Sequence, residues 1–238
     1  MDAKSRLFLA VDVPEIDAAQ CFMKQFSQQV GAYKIGAELF LKAGPAISKF
    51  VVDLGVHLFL DLKLHDIPRT VEAGVKSLAK QGANWVTVHA LGGSDMLKAA
   101  LEGAACNSQT KVLAVTILTS HTQETLRELG MDDDVNQQVL RLAELASHAG
   151  VPGLVCSAQE AAMLRENLPE KTILVCPGIR MPSAFTHDQK RTASPRDAIL
   201  AGADYLVVGR PILEASDQSL ALKTIIDDMQ AAFQPHSA

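Results

Sequence analysis

Short, nearly unbroken apolar runs alternate along this chain with longer stretches in which apolar residues recur at helical spacing. The runs fall at 7–13, 32–36, 57–63, 85–90, 112–118, 153–156, 173–177 and 205–209. Most are continuously apolar rather than alternating, as strands covered on both faces of a parallel sheet must be. Between them, 70–81, 94–105, 136–149 and 157–167 carry the helical pattern. Gly82 and Gly150 each follow such a stretch, where a glycine ends a helix. Eight strand–helix units with no break in composition predict a single α/β domain over 1–238, a (β/α)8 TIM barrel. A doubly wound open sheet is the alternative, and it usually places its ligand beside a Gly-rich first turn. The first turn here, Val11-Asp12-Val13-Pro14, has no glycine. The least regular segment, 179–195, mixes polar residues with Met and Pro and reads as a loop that closes over a ligand.

Composition narrows the function. The 238 residues are 48% hydrophobic, enough for a sizeable core. A net charge of -5 argues against a nucleic-acid surface. Lys and Arg are scattered, so there is no polybasic patch for a membrane, and no apolar stretch is long enough to span one. The first six residues lead straight into a strand-like run without a secretory h-region. Cys21, Cys106, Cys156 and Cys176 form no CxxC pair. Three of them lie in apolar or Ala-rich surroundings, where a buried free thiol is expected, so the chain is placed in the reducing cytoplasm.

In such barrels the active site lies at the C-terminal ends of the strands. Read in order, those ends carry Asp12, Lys34, Asp61 with Lys63, His89 before Gly92-Gly93, Thr119-Ser120-His121, Pro177-Gly178-Ile179-Arg180 and Gly209-Arg210. A lone Lys or Asp at a strand end is more often a solvated rim residue, and a lone His a satisfied polar group. The convergence of Asp12, Lys34, Asp61 and Lys63 on one mouth is harder to dismiss. Asp61, Lys63 and Asp66 place three charges within six residues at the end of an apolar strand. Alternation puts Asp61 and Lys63 on one face. Burial of these charges demands pairing, with one lysine held between two carboxylates. Gly209-Arg210-Pro211 is either a tight turn with an exposed arginine or a phosphate site. The glycine admits a ligand to the backbone, Pro211 suits the first position of a helix, and Arg210 adds a two-pronged donor. Arg180 and Gln189 can approach from the neighbouring loop.

With these residues in view, the chain resembles the orotidine 5′-phosphate decarboxylase family over almost its whole length. The most specific match is Asp61-Leu62-Lys63-Leu64-His65-Asp66-Ile67-Pro68. Supporting it are Asp12, Lys34, Thr87-Val88-His89, Leu118-Thr119-Ser120, Pro177-Gly178-Ile179-Arg180, Asp188-Gln189-Lys190-Arg191 and Val207-Val208-Gly209-Arg210. Two departures concern loops only: His187 and Leu91 stand where the family often has smaller residues.

The resemblance implies decarboxylation of orotidine 5′-monophosphate to uridine 5′-monophosphate, the last step of pyrimidine nucleotide synthesis, without cofactor or metal. By it, Lys63 is the proton donor, Asp61 faces the substrate carboxylate and Lys34 holds Asp61. Asp12 and Lys34 contact the ribose, and Thr119 or Ser120 reads the pyrimidine edge. Arg180, Gln189, Gly209 and Arg210 grip the phosphate. It also implies a homodimer in which Asp66, Ile67 and Thr70 complete the other subunit's site. A C6 carbanion has no conjugated sink, so its charge must be met electrostatically, and a lysine kept protonated between aspartates suits that task. It does not suit a Schiff base, which needs a neutral amine. Two other readings stand beside this one. In the first, an enzyme of the same barrel group acts on a sugar phosphate, with Asp61 and Asp66 serving a Mg²⁺ ion. In the second, the protein is a silent binder of a phosphate ligand.

Overall fold

Strands this short bury both faces only if the sheet closes and helices cover its outside. The structure, a computed structural model, describes residues 2–131, 134–181 and 193–233. Its strands are β1 (Leu7–Ala10), β2 (Ala32–Gly36), β3 (His57–Leu64), β4 (Trp85–His89), β5 (Lys111–Val115), β6 (Gly153–Val155), β7 (Ile173–Cys176) and β8 (Tyr205–Val208). Each lies parallel to the next, and β8 returns to β1 to close the barrel. At least one helix follows every strand. This is the (β/α)8 barrel that the sequence pattern predicts, and not an open sheet.

The expected helices appear at Pro68–Lys80, Gly93–Ala104, Val135–His148 and Ala158–Asn167. Pro68 opens the first of them, where a missing N–H costs nothing. Asp134 caps the third by accepting from the N–H groups of Asn136 and Gln137. Gly82 and Gly150 stop the first and third, with φ of 89° and 90°. Six of the eight strands end one to three residues before the apolar run does. The physical reason is that the run continues into the mouth, where Val11 and Ile117 stay buried beyond their strands.

Alternation splits the core in two. Outward-facing Leu7, Leu9, Leu58, Leu60, Val86 and Val88 pack with the helices. Inward-facing Phe8, Ala10, Ala32, Phe59, Trp85, Leu113, Val175 and Val207 fill the barrel itself. The floor of that interior is aromatic: Phe8 stacks on Tyr205 with ring centroids 4.6 Å apart and meets Trp85 at 5.5 Å and Phe59 at 5.7 Å.

The cysteines depart from expectation. Cys156 and Cys176 are buried, but Cys21 and Cys106 are exposed. Cys21 falls off the buried stripe of helix Ile16–Phe26, which is Ala19, Phe22, Met23 and Phe26. Cys106 lies in the turn that follows its helix. Among the described residues, no helix is long and apolar enough to cross a membrane.

Candidate active site

One pleat repeat above the aromatic floor, the inward positions turn polar. Lys34 follows Ala32, Asp61 follows Phe59 and Thr87 follows Trp85 on the same faces of β2, β3 and β4. The Val11 N–H bonds the Lys34 carbonyl at 3.0 Å, which carries the β1–β2 pairing one residue past the strand and sets Asp12 beside Lys34. Asp12, Lys34, Asp61 and Lys63 line a cavity of about 240 Å³, with Thr119, Arg180, Gly209 and Arg210 on its other sides, while Thr87 lies behind Asp61.

The charges form a chain. Asp12 Oδ1 lies 2.9 Å from Lys34 Nζ, and Asp61 Oδ2 lies 3.7 Å from the same ammonium. Lys63 Nζ donates to both Asp61 oxygens at 2.9 Å. Asp61 therefore sits between two lysines, and Lys34 between two carboxylates. The expectation that Lys63 would occupy that second position within one chain is not met. Asp66 is exposed, makes no ion pair among the described residues, and accepts from the Ile67 N–H at 2.6 Å. The turn carries it away from the mouth.

Asp61 and Lys63 do converge, but not by plain alternation. Leu60 pairs with Val86 and Leu64 with Val88, so residues 61–63 stand opposite Thr87 alone. This is a bulge, and Lys63 occupies it with φ of 49°. It is the one positive-φ residue other than glycine among those described.

Burial alone would raise the Asp61 carboxyl. The Lys34 and Lys63 ammonium groups, with hydrogen bonds from Lys63 and Thr87, outweigh that and hold it below its ordinary value. His89 is half-buried and packs its ring on His65, with centroids 5.6 Å apart. Its burial, with the nearby His65 and Lys63 charges, pushes the imidazole down. Cys156 also lines the cavity, with its Sγ 3.8 Å from that of Cys176. The hydrogen bond it shares with Cys176 and its burial push its thiol well up, so it stays an uncharged part of the wall.

Arg180 is buried, with its Nη1 donating to the Ile179 carbonyl at 2.9 Å. Its backbone N–H reaches the Ala193 carbonyl, so the two ends of the 179–195 segment are bridged. Gln189 and most of that segment, with its expected closure, lie outside the described residues. Arg210 opens a helix of only four residues, Arg210–Leu213, so Pro211 is second in it rather than first. Thr119 faces the cavity, whereas Ser120 is exposed and does not line it. Ile67 and Thr70 are exposed at the start of the helix after β3, apart from this chain's own cavity.

Sequence reasoning gave Thr87 no role, although it touches both Asp61 and Lys63. Its signal was a polar residue at an inward position of β4, level with Asp61. The apolar wall of Val115, Ile117 and Val155 also went unassigned, although Val115 and Val155 share the inward parity of their strands.

Comparison with known proteins places the chain in a family and agrees with the barrel fold. Residues 5–225 match the model of the family described as orotidine 5′-phosphate decarboxylase / HUMPS. The chain is 45% identical over 228 residues to orotidine 5′-phosphate decarboxylase of Alkalilimnicola ehrlichii, covering 95% of this chain and 97% of the relative. It is 40% identical over 237 residues to that of Trichlorobacter lovleyi, covering 98% of each. The crystal structure of orotidine 5′-phosphate decarboxylase from Lactobacillus acidophilus superposes with a TM-score of 0.83 at 39% identity, over 94% of this chain and 98% of that one. An uncharacterised conserved protein from Geobacillus kaustophilus gives 0.82 at 35% identity, over 94% of this chain and 99% of that one. A match of this extent, with the Asp12–Lys34–Asp61–Lys63 chain at the barrel mouth, shows that the chain belongs to the orotidine 5′-phosphate decarboxylase / HUMPS family.

Proposed function

We propose that the protein converts orotidine 5′-monophosphate to uridine 5′-monophosphate, with Lys63 protonating the carbon that loses CO₂. The observation that carries this reading is the two-pronged contact of Lys63 Nζ with Asp61, at 2.9 Å to each oxygen, inside a cavity that Arg180 and Arg210 also line. One end of such a cavity suits the reacting carboxylate, and the other suits a phosphate.

The C6–carboxylate bond breaks, its electron pair stays on C6, and CO₂ departs. The Lys63 ammonium lies where that charge develops, stabilises it, and then transfers one proton to C6. Lys63 regains its proton from solvent. Asp61, held ionised by Lys34 and Lys63, repels the substrate carboxylate until CO₂ leaves. The phosphate grip by Arg180, Gly209, Arg210 and Gln189 supplies binding energy away from the reacting carbon. Asp12 and Lys34 fit the ribose hydroxyls, and Thr119 has the cavity position from which to meet the pyrimidine edge.

The sugar-phosphate reading requires Asp61 to serve a cation. Here both Asp61 oxygens are taken by an ammonium, and Asp12 faces another, which favours electrostatic chemistry without metal. We assign Asp66, Ile67 and Thr70 to the site of a second copy. Their support is exposure: Ile67 is 66% exposed, unusual for an isoleucine with nothing over it. Cytoplasmic action in nucleotide synthesis follows from the same reading.

The deciding experiment follows ultraviolet absorbance after orotidine 5′-monophosphate is added, with and without chelator. Loss of the orotate band in both supports the reading; no change, or dependence on Mg²⁺, refutes it. Shared sites are tested by mixing two inactive variants, Lys63→Ala and Asp66→Asn. Hybrid dimers regain activity if Asp66 acts across the interface, and stay inactive if it acts within its own chain.

A further inference from the structure

We infer that Thr87 is the positioning residue for Lys63 and Asp61, its one hydroxyl holding the β3 bulge in place and orienting the carboxylate beneath it. The kinetic part of this inference rests on the decarboxylase reading above; the geometric part does not.

The bulge leaves the Lys63 N–H without its place in the ladder, since three residues of β3 stand opposite one of β4. The left-handed conformation of Lys63 is unfavourable for a residue with a Cβ and persists only where its surroundings enforce it. Thr87 is fully buried at that point. Its Oγ1 accepts from the Lys63 N–H at 2.9 Å and donates to Asp61 Oδ1 at 3.0 Å. The polarity of this pair is fixed. A backbone N–H can only donate and a carboxylate can only accept, so the hydroxyl proton must point to Asp61 and a lone pair to Lys63. One side chain thus ties the backbone of the proton donor to the carboxylate that its ammonium grips. The β-branch of threonine restricts χ1 and keeps both bonds aimed. Valine matches its shape and can make neither bond. Serine can make both with a looser χ1.

The test compares Thr87→Val and Thr87→Ser in the intact protein. Thr87→Val is expected to lower kcat for orotidine 5′-monophosphate by about 10- to 100-fold, the equivalent of one hydrogen bond to a charged group. KM should move less than about threefold, because no substrate contact is removed. The acid limb of kcat/KM should shift to higher pH, because Asp61 loses a bond that favours its ionised form. Thr87→Ser is expected to recover most of the lost kcat. Wild-type kcat in Thr87→Val overturns the inference. So do equal kcat losses in both variants that track equal falls in Tm, which would mark a packing role. Should Thr87→Val not fold, Thr87→Ala carries the same comparison. Should the wild-type protein show no turnover, the decarboxylase reading fails but the geometry remains testable. A Thr87→Val crystal structure in which Lys63 leaves the left-handed region or loses its Asp61 contacts supports the inference. One in which φ stays near 49° and both contacts persist overturns it.

Discussion

The barrel interior has two layers built from the same strands, and they follow opposite rules. The lower layer, Phe8, Phe59, Trp85 and Tyr205, is an aromatic floor in ring contact. The upper layer, Lys34, Asp61 and Thr87, starts two residues further along β2, β3 and β4 and holds an ion-paired network. The floor gains its stability from area removed from water. The mouth brings charges together out of water, which is at best weakly stabilising. Moving one pleat repeat along a strand thus converts a residue that supports folding into one available for chemistry. Substitutions in the two layers should therefore separate stability from turnover.

The largest effect is expected at Lys63. Lys63→Ala should lose at least about 10⁴-fold in turnover, more than about 5 kcal/mol of barrier, since in the proposed mechanism it removes both the proton and the stabilising charge. Its Tm should change by only a few degrees, because Asp61 keeps Lys34 as a partner. Assay and thermal melt on one preparation check this. A loss of folding as large as the loss of activity would break the division between layers.

Next comes the floor. Phe59 is buried and packs edge-on against Phe8. Phe59→Ala should cost about 3–5 kcal/mol of stability through lost burial and a new cavity. Denaturant unfolding measures it. The residue also borders the cavity, so turnover at a temperature where the variant is folded is the sharper reading. A variant that is fully stable yet inactive would put Phe59 in the mouth.

The two layers were not equally legible in the sequence. Every floor residue announced itself, because a parallel barrel buries both faces of each strand and its apolar runs are unbroken. Lys34, Asp61 and Lys63 were legible as a group because charges at the ends of such runs must pair with one another or meet a ligand. The route by which they meet was not. Alternation predicted that Asp61 and Lys63 share a face, and they do converge, but through a bulge with Lys63 in a left-handed conformation. A lysine carries no sequence mark for that conformation, as a glycine would. The same bulge hid Thr87, whose position opposite three residues exists only in three dimensions. Spacing alone offers Asp66 as a local partner, and only the family resemblance sends it to a second copy, because sequence proximity says nothing about the direction in which a turn carries the chain.

Asp61 joins charge to stability, and its expected effect is smaller. Its carboxyl is held below the ordinary value near 3.8, so its stabilising contribution is fully present above that pH. The contribution is lost as pH falls through the depressed folded value. Asp61→Asn should therefore be about 1–3 kcal/mol less stable than wild type at neutral pH, with two lysines left facing an amide. The difference should shrink as the solution is acidified below that value. Urea unfolding of both proteins over a pH series measures it. A gap that stays constant into strong acid would mean the charge network contributes nothing to folding.

The smallest effect is expected where the layers touch. A Cβ on Gly209 would lie 3.2 Å from the Ala10 Cβ and 3.5 Å from Asp12 Oδ2. Ala10 belongs to the packed interior and Asp12 to the mouth. Gly209→Ala thus intrudes on both. The packing contact requires a shift of a few tenths of an ångström and should cost about 1 kcal/mol. If the proposed phosphate grip holds, the same methyl narrows the approach of the phosphate to the backbone and should raise KM by about tenfold with kcat nearly unchanged, since that grip is away from the proposed reacting carbon. Paired measurement of KM and Tm locates the boundary. A rise in KM with little change in Tm places Gly209 with the binding surface. A fall in Tm with KM unchanged would assign it to the packed interior and move that boundary up past β8.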